Sequence, residues 1–328
     1  MHFSLRSLAA LVASLPLIAP SAGAQSLHAT SIVDINKGSG GGIFTQANIL
    51  GGPQGAGFDA GSLEVLSLGE AGDVTLGFDV VITDGPGADF TVFENGFAVG
   101  SSAVFAEIVY VEVSTDGLNF ARFAPSYVGS GSAMGSFAGL AGGLPVLANV
   151  VTNSISPFDP VVSGGEAFDL ADLVTVPEVT LGLVDLAAIH FVRLVDVGAA
   201  DVDANGMLLG GNGGADIDAV TVLNSNLDDL TTKPRCDLAF DSSGRVRLTL
   251  GDPQGLADLN LATLHASLNL FEVPLTNILH LFTIASVTPT EIVLVTPPVP
   301  GSGLISAFGV SVEDWAGTRS GDQLMIQG

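Results

Sequence analysis

Apolar and polar residues alternate over Asp73–Val80. Val74, Leu76, Phe78 and Val80 fall on one side, and Thr75, Gly77 and Asp79 on the other. That period of two marks a half-buried β-strand. The turn tripeptide Gly85-Pro86-Gly87 follows, then a second apolar run over Phe90–Phe93. Asp73 to Phe97 therefore reads as one hairpin-like unit, with Asp84, Asp89 and Glu94 at its ends and turns.

The pattern recurs downstream. Val109, Val111 and Val113 share a face, and Asp116-Gly117 predicts a two-residue primed turn before a return over Leu118–Phe123. Residues 62–68 predict a short strand and Ala219–Leu223 a closing one. Ile189–Asp196 is apolar on both faces apart from His190 and Arg193, as in a central strand, with His190 expected as a hydrogen-bonded core residue. Glycine-rich residues 26–61 read as a loop over one end of a sandwich, and Phe168–Leu173 as a helical turn or short edge. Residues 129–165 lack periodicity, which predicts a functional or mobile loop. Composition shifts at Thr231–Pro234, and the remainder has about the length of one Ig-like sandwich. There Val246, Leu248 and Leu250 alternate, and Ile305, Phe308, Val310 and Val312 do so less regularly. The expected organisation is all-β: a leader over 1–24, a sandwich over 25–232 and a smaller one over 233–328.

Composition sharpens this picture. The 328 residues are 47% hydrophobic, with 42 glycines and only 6% aromatics, a makeup that suits short strands and many turns. Acidic residues number 34 against 9 basic ones, a net charge of −25 that repels a phosphate backbone and excludes nucleic acid as a partner. His2 and Arg6, the apolar stretch Leu8–Ala19 and Ala22-Gly23-Ala24 have the form of a secretory leader, so export to the cell surface or medium is expected. No cysteine follows that site, so a lipid anchor is not expected, and no later stretch is long and apolar enough to span a bilayer. Cys236, the single cysteine, has no partner for a disulfide and reads as an incidental thiol in a linker.

The candidate chemistry is carboxylate chemistry. Asp201, Asp203, Asn205 and Gly206 match the start of a D-x-D-x-N-G calcium loop, in which alternate oxygens converge on one ion. Position twelve is Asn212 rather than Glu, so completion of the shell falls to Asp216, Asp218, Asp196 or Glu94. Asp84, Asp89 and Glu94 offer a second or shared site for Ca2+ in a structural role. The competing reading makes these residues turn formers, since Asp, Asn and Gly are favoured in any loop, with one carboxylate paired to Arg193. No G-x-S-x-G or H-E-x-x-H motif is present, and catalytic residues are not identified.

The segments GSLEVLSLGEAGDVTLGFD, DGPGADFTVFENGF, VEVSTDGLNFARF, SGGEAFDLADL, IHFVRLVD and GGADIDAVTVLN resemble a family of exported bacterial cell-surface proteins, itself similar to the galactose-binding-like (discoidin-type) β-sandwich. The resemblance covers about residues 50–223 and implies a jelly roll, a structural calcium near one end and a loop-built binding face. The disulfide and aromatic loop tips of eukaryotic discoidin domains are missing, so glycan or lipid binding does not carry over. VSVEDWAGTRSGDQLMI is similar to bacterial Ig-like repeats, with Asp314-Trp315-Ala316-Gly317 turning into the final strand.

The leading expectation is a non-enzymatic, calcium-stabilised surface module, binding an extracellular glycan or another surface protein, or structural. The alternatives are a carbohydrate-active hydrolase using paired carboxylates and a purely architectural spacer. A concave aromatic-lined face separates the binding reading from a flat polar one. The sequence leans to flat and polar, with only Phe137 and Phe158 as aromatics in 129–165.

Overall fold

The computed structural model describes residues 25–42, 44–58, 60–100, 103–127, 129, 133–210, 213–228, 232–274, 276–298 and 306–326. The expected leader, Asn212 and Ile305 lie outside them. Strands follow one another as β1 (Ser31–Asn36), β2 (Leu66–Ser67), β3 (Asp73–Ile82), β4 (Phe90–Glu94), β5 (Phe97–Val99), β6 (Ala103–Phe105), β7 (Val109–Ser114) and β8 (Ala121–Arg122). Then come β9 (Ser126–Tyr127), β10 (Phe137–Ala138), β11 (Leu140–Ala141), β12 (Glu166–Phe168), β13 (Ile189–Asp196) and β14 (Asp216–Val222). One antiparallel sheet runs β1-β3-β13-β7-β11, with β8 also on β7, and the other runs β12-β4-β14-β2. Between them lies a core to which β3 gives Val74 and Leu76, β13 gives Val192 and Leu194, and β4 gives Phe90 and Val92. Phe90 stacks on Phe168 and meets the edge of Phe123, joining sheet to sheet.

β3 and β4 lie in different sheets, so the stretch Asp73–Phe97 is not a hairpin. β3 pairs with β1 and β13, while β4 pairs with β12 and β14 in the other sheet. Gly85-Pro86-Gly87 is a crossing between layers, and a glycine–proline turn reads alike in both settings. The Val109–Phe123 hairpin forms, but its return strand is only Ala121–Arg122 and its loop is longer than two residues. Asp116 organises that loop by accepting the N–H groups of Leu118 and Asn119. β13 is central, as its two apolar faces predict, yet His190 faces solvent. The glycine-rich N-terminal stretch also supplies β1, a full edge strand. Of residues 133–149, the segment from Leu140 to Ala148 is largely buried, so it is a wall of the sandwich rather than a surface loop.

The remaining strands are β15 (Arg235–Phe240), β16 (Val246–Gly251), β17 (Leu259–Leu268), β18 (Phe271–Glu272), β19 (Thr283–Val287), β20 (Glu291–Val295), β21 (Ser306–Asp314) and β22 (Arg319–Ile326). Their sheets, β15-β16-β20-β19 and β18-β17-β21-β22, have the A-B-E-D and C′-C-F-G orders of an Ig-like sandwich. Cys236 is not in a linker: it sits in β15, fully buried, its thiol donating to Val310 O. No helix among the described residues is long and apolar enough to cross a membrane.

The two sandwiches meet at the Gly85-Pro86-Gly87 crossing. Ala88 N–H donates to Gly321 O at 3.2 Å and Ser320 Oγ to Pro86 O at 2.8 Å. Gly87 has φ +72°, and a Cβ there would lie 2.7 Å from the carbonyl oxygens of both Cys236 and Gly321. Only glycine fits that conformation at that approach. Arg319 of β22 spans the joint to Asp159 while also holding Glu313.

Leu194 is fully buried at the centre of the first core, whereas Leu118 is 84% exposed. Leu194→Ala should lower the unfolding free energy in urea by about 2–5 kcal/mol. Leu118→Ala should stay within about 0.5 kcal/mol of the parent.

Candidate functional site

Residues Asp84, Asp89 and Asp169 bring carboxylate oxygens to within 4.8 Å of one another, the one such group of three among the described residues. Strand register explains the convergence. β12 pairs with β4 so that Phe168 faces Phe90, and the next residues outward are Asp169 and Asp89, joined by Asp89 N–H donating to Phe168 O at 2.7 Å. Asp84 arrives from β3 across the glycine–proline crossing.

Asp89 is wholly buried. Its Oδ1 accepts Gly85 N–H and Asn224 Nδ2, each at 2.8 Å, and its Oδ2 accepts Leu170 N–H at 2.7 Å. Burial, then the charge of Asp169, pushes its pKa well above the ordinary range against those three hydrogen bonds. Asp169 accepts Ala171 N–H at the start of a short 3-10 turn. Burial raises it to about 7, with Asp172, Asp84 and Asp237 adding to the rise. Asp84 is raised by burial and by Asp237. The second sandwich adds Asp237 from β15 and Asp322 from β22, the latter buried and pushed well up by burial and by Asp169. On the far side, the Asn224 amide links Asp89 to Lys233, whose Nζ donates to Asn224 Oδ1 and Leu223 O.

A carboxylate has about four acceptor sites; the N–H donors above occupy three on Asp89 and one on Asp169. Oxygen ligands without imidazole or thiolate suit a hard cation, calcium before zinc. The capacity left on Asp84 and Asp169 fits that role, with Asp89 as the fixed wall.

The other sequence-predicted ligands go elsewhere. Asp203 Oδ1 accepts the N–H groups of Asn205 and Met207, its Oδ2 accepts Tyr127 N–H, and the Met207 bond chiefly holds its pKa below the ordinary range. Asp201 Oδ2 accepts Gly198 N–H and Tyr110 OH. Both carboxylates thus shape their own turn. Asp218 is buried on β14, accepts Gln54 N–H with both oxygens and is raised to about 7 by burial. Arg193 pairs with Glu112 beside Arg122, not with any candidate ligand.

Glu94 and Asp216 do meet, at the opposite end of β4 from Asp89. Glu94 Oε1 accepts Asp216 N–H at 3.4 Å, while its buried Oε2 has no hydrogen-bond partner. Burial raises its pKa well above the ordinary range, with Glu107, Glu166 and Asp216 adding to the rise. Glu166, on β12, accepts Gly142 N–H at 2.9 Å and is pushed up to about 8 by burial. Glu107 rises to about 7 by burial, then Asp216 and Asp196. Asp169, Glu107, Glu166, Asp237 and Asp322 carry no local motif. Asp169 lies 80 residues from Asp89, and only the β4–β12 register joins them.

A concave, aromatic-lined cavity of about 470 Å³ does exist between the sandwiches, and Phe137, Ala138, Gly139 and Leu140 of the 129–165 segment line part of it. Its walls include Phe123, Phe137, Phe168 and Phe240, with Asp172 and Glu166 as acidic members. That volume falls within the range of small-ligand sites.

These raised values have a definite sign. A carboxyl group whose pKa is higher in the folded than in the unfolded state stabilises the fold fully below the unfolded value, and that contribution is lost as pH rises through the folded one. With Asp169, Glu107 and Asp218 at about 7 and Glu166 at about 8, the melting temperature in chelator should fall as pH rises from 5 to 8. A scan of melting temperature against pH in EDTA checks this; a flat or rising profile contradicts it. No protein-family model matches the chain, and no curated protein matches it in sequence.

Proposed function

We propose that this chain is an exported, calcium-stabilised, non-enzymatic binding module whose ligand seat is the cavity between its two sandwiches. The observation that carries the reading is the convergence of Asp84, Asp89 and Asp169 at the joint. An ion there would neutralise the facing carboxylates and fix the Phe168–Asp172 segment, which forms part of the cavity wall. An ion bound only by the folded state stabilises it by mass action, by about 2.7 kcal/mol at ~100 times its dissociation constant. The kinship with the galactose-binding-like sandwich belongs to this proposal, and it agrees with the crossings between sheets from β3 to β4 and from β13 to β14.

A saccharide suits the seat. Its C–H faces would lie against phenylalanine rings and its hydroxyl rim would meet the Asp172 carboxyl group. A second reading, a glycoside hydrolase, draws on Glu166 and Asp172 in the same cavity. Glu166 fits that role poorly, because its carboxyl is buried and accepts Gly142 N–H.

Calcium should raise the melting temperature of the parent saturably over EDTA, and Asp169→Asn should remove most of that rise. An equal rise in the variant would overturn the ion site. In a glycan array with calcium, Phe240→Ala should weaken retained ligands by about tenfold, roughly the 1.4 kcal/mol of one aromatic contact. Turnover of a glycoside panel that is lost in Asp172→Asn would favour the hydrolase.

A further inference from the structure

Glu94 ends β4 inside the first sandwich, 2% exposed, and its Oε2 has no hydrogen-bond partner. Three backbone carbonyl oxygens share the space beside it. The point a Cβ on Gly142 would occupy is 2.9 Å from Glu107 O and 3.1 Å from Glu94 Oε2. The corresponding point on Gly96 is 2.9 Å from Leu144 O, 3.2 Å from Gly142 O and 3.4 Å from Glu94 Oε2. Two glycines thus open a cradle that any side chain would fill, and three carbonyl oxygens share it with the carboxylate. Among the described residues, no backbone N–H outside the strand ladders donates to any of the three carbonyls.

A buried acceptor beside other acceptors is costly unless something positive sits among them. Among the described residues no basic side chain pairs with Glu94, and the two arginines of this sandwich, Arg122 and Arg193, are both engaged on Glu112. Glu107, Glu166 and Asp216 bring further negative charge to bear on Glu94. The choice lies between a proton on Glu94, donated to one carbonyl, and a metal ion shared by all. One proton satisfies one acceptor; an ion of the calcium type takes ~6–8 oxygens at ~2.3–2.6 Å in irregular geometry, which suits mixed carbonyls and carboxylates.

We propose a second calcium site, built on Glu94 Oε2 and the carbonyl oxygens of Glu107, Gly142 and Leu144, with Glu166 and Asp216 supplying neighbouring charge. It rests on the reading of this chain as calcium-dependent but uses none of the residues at the joint. The ion would tie β4 to the Gly142–Leu144 segment, whose Gly142 N–H already holds Glu166.

Equilibrium dialysis of the full chain against calcium as the only divalent ion tests it. Glu94→Gln removes the charge and places an amide donor among the carbonyls, so the fold should tolerate it without metal. The parent should bind two ions, and Glu94→Gln and Asp169→Asn one each. If Glu94→Gln binds as many ions as the parent, the proposal is overturned and Oε2 carries a proton. Loss in Glu94→Gln with none in Asp169→Asn would sustain this site and sink the one at the joint. The reverse result would do the opposite. Should Glu94→Gln fail to fold, Glu94→Asp keeps the charge but withdraws it by one methylene. It should weaken one ion by about tenfold or more, and unchanged affinity would equally overturn the site.

Discussion

A carboxylate moved out of water must find a counter-charge, a set of donors or a proton, and this chain has few counter-charges to offer. It carries 34 acidic and 9 basic residues, yet buries Asp89, Glu94, Glu166, Asp196, Asp218 and Asp322 almost completely. Isolated charges in such settings cost several kcal/mol each even after relaxation. The structure meets that cost mainly with backbone N–H groups. Asp89 takes two of them plus an amide, Asp196 takes Ala71 and Ala215, and Asp218 takes Gln54. Loops are drawn inward to supply those donors, which accounts for the burial of segments whose composition reads as surface turn.

The carboxyl groups also gather in two places. One gathering is at the joint, where the first sandwich gives Asp84, Asp89 and Asp169 and the second gives Asp237 and Asp322. The other is around Glu94. Both have raised proton affinity from burial and from mutual repulsion. A divalent ion relieves the same repulsion with one particle where protonation needs several. The backbone at the joint is also tightly constrained, with Gly87 wedged between two carbonyl oxygens of the other sandwich.

Strands were legible where one face is buried and the other wet or paired. Alternation located β3, β7, β16 and β21, and two-sided apolarity located β13 as central. What alternation does not carry is which sheet a strand joins. β3 and β4 look like a hairpin because a crossing and a return use the same turn residues. β1 was hidden because SIVDIN sits in a glycine-rich run and most of its residues are solvent-facing. At the site, Asp84 and Asp89 were legible as a local pair. Asp169 was not, since its place depends on pairing between segments 80 residues apart. The calcium-like spacing at Asp201–Gly206 is equally the spacing of a tight turn, in which Asp203 gathers the N–H groups of Asn205 and Met207.

One short ladder governs both acidic centres. β4 is five residues long, with Asp89 just before it and Glu94 at its end; β12, its neighbour, opens with Glu166 and is followed by Asp169. Phe168 opposite Phe90 and Glu166 opposite Val92 therefore set which carboxylates meet at each end. A slip of one residue would turn every side chain of β12 to the other face, removing Glu166 from beside Glu94 and Phe168 from the core at once. The phenylalanine stack of Phe90, Phe168 and Phe123 guards against that slip, since it is satisfied in one register only. β12 is also an edge strand and a wall of the aromatic cavity. Charge neutralisation at either end of the ladder would hold that wall in place, so the proposed cation and ligand sites would both bear on the same three residues of backbone.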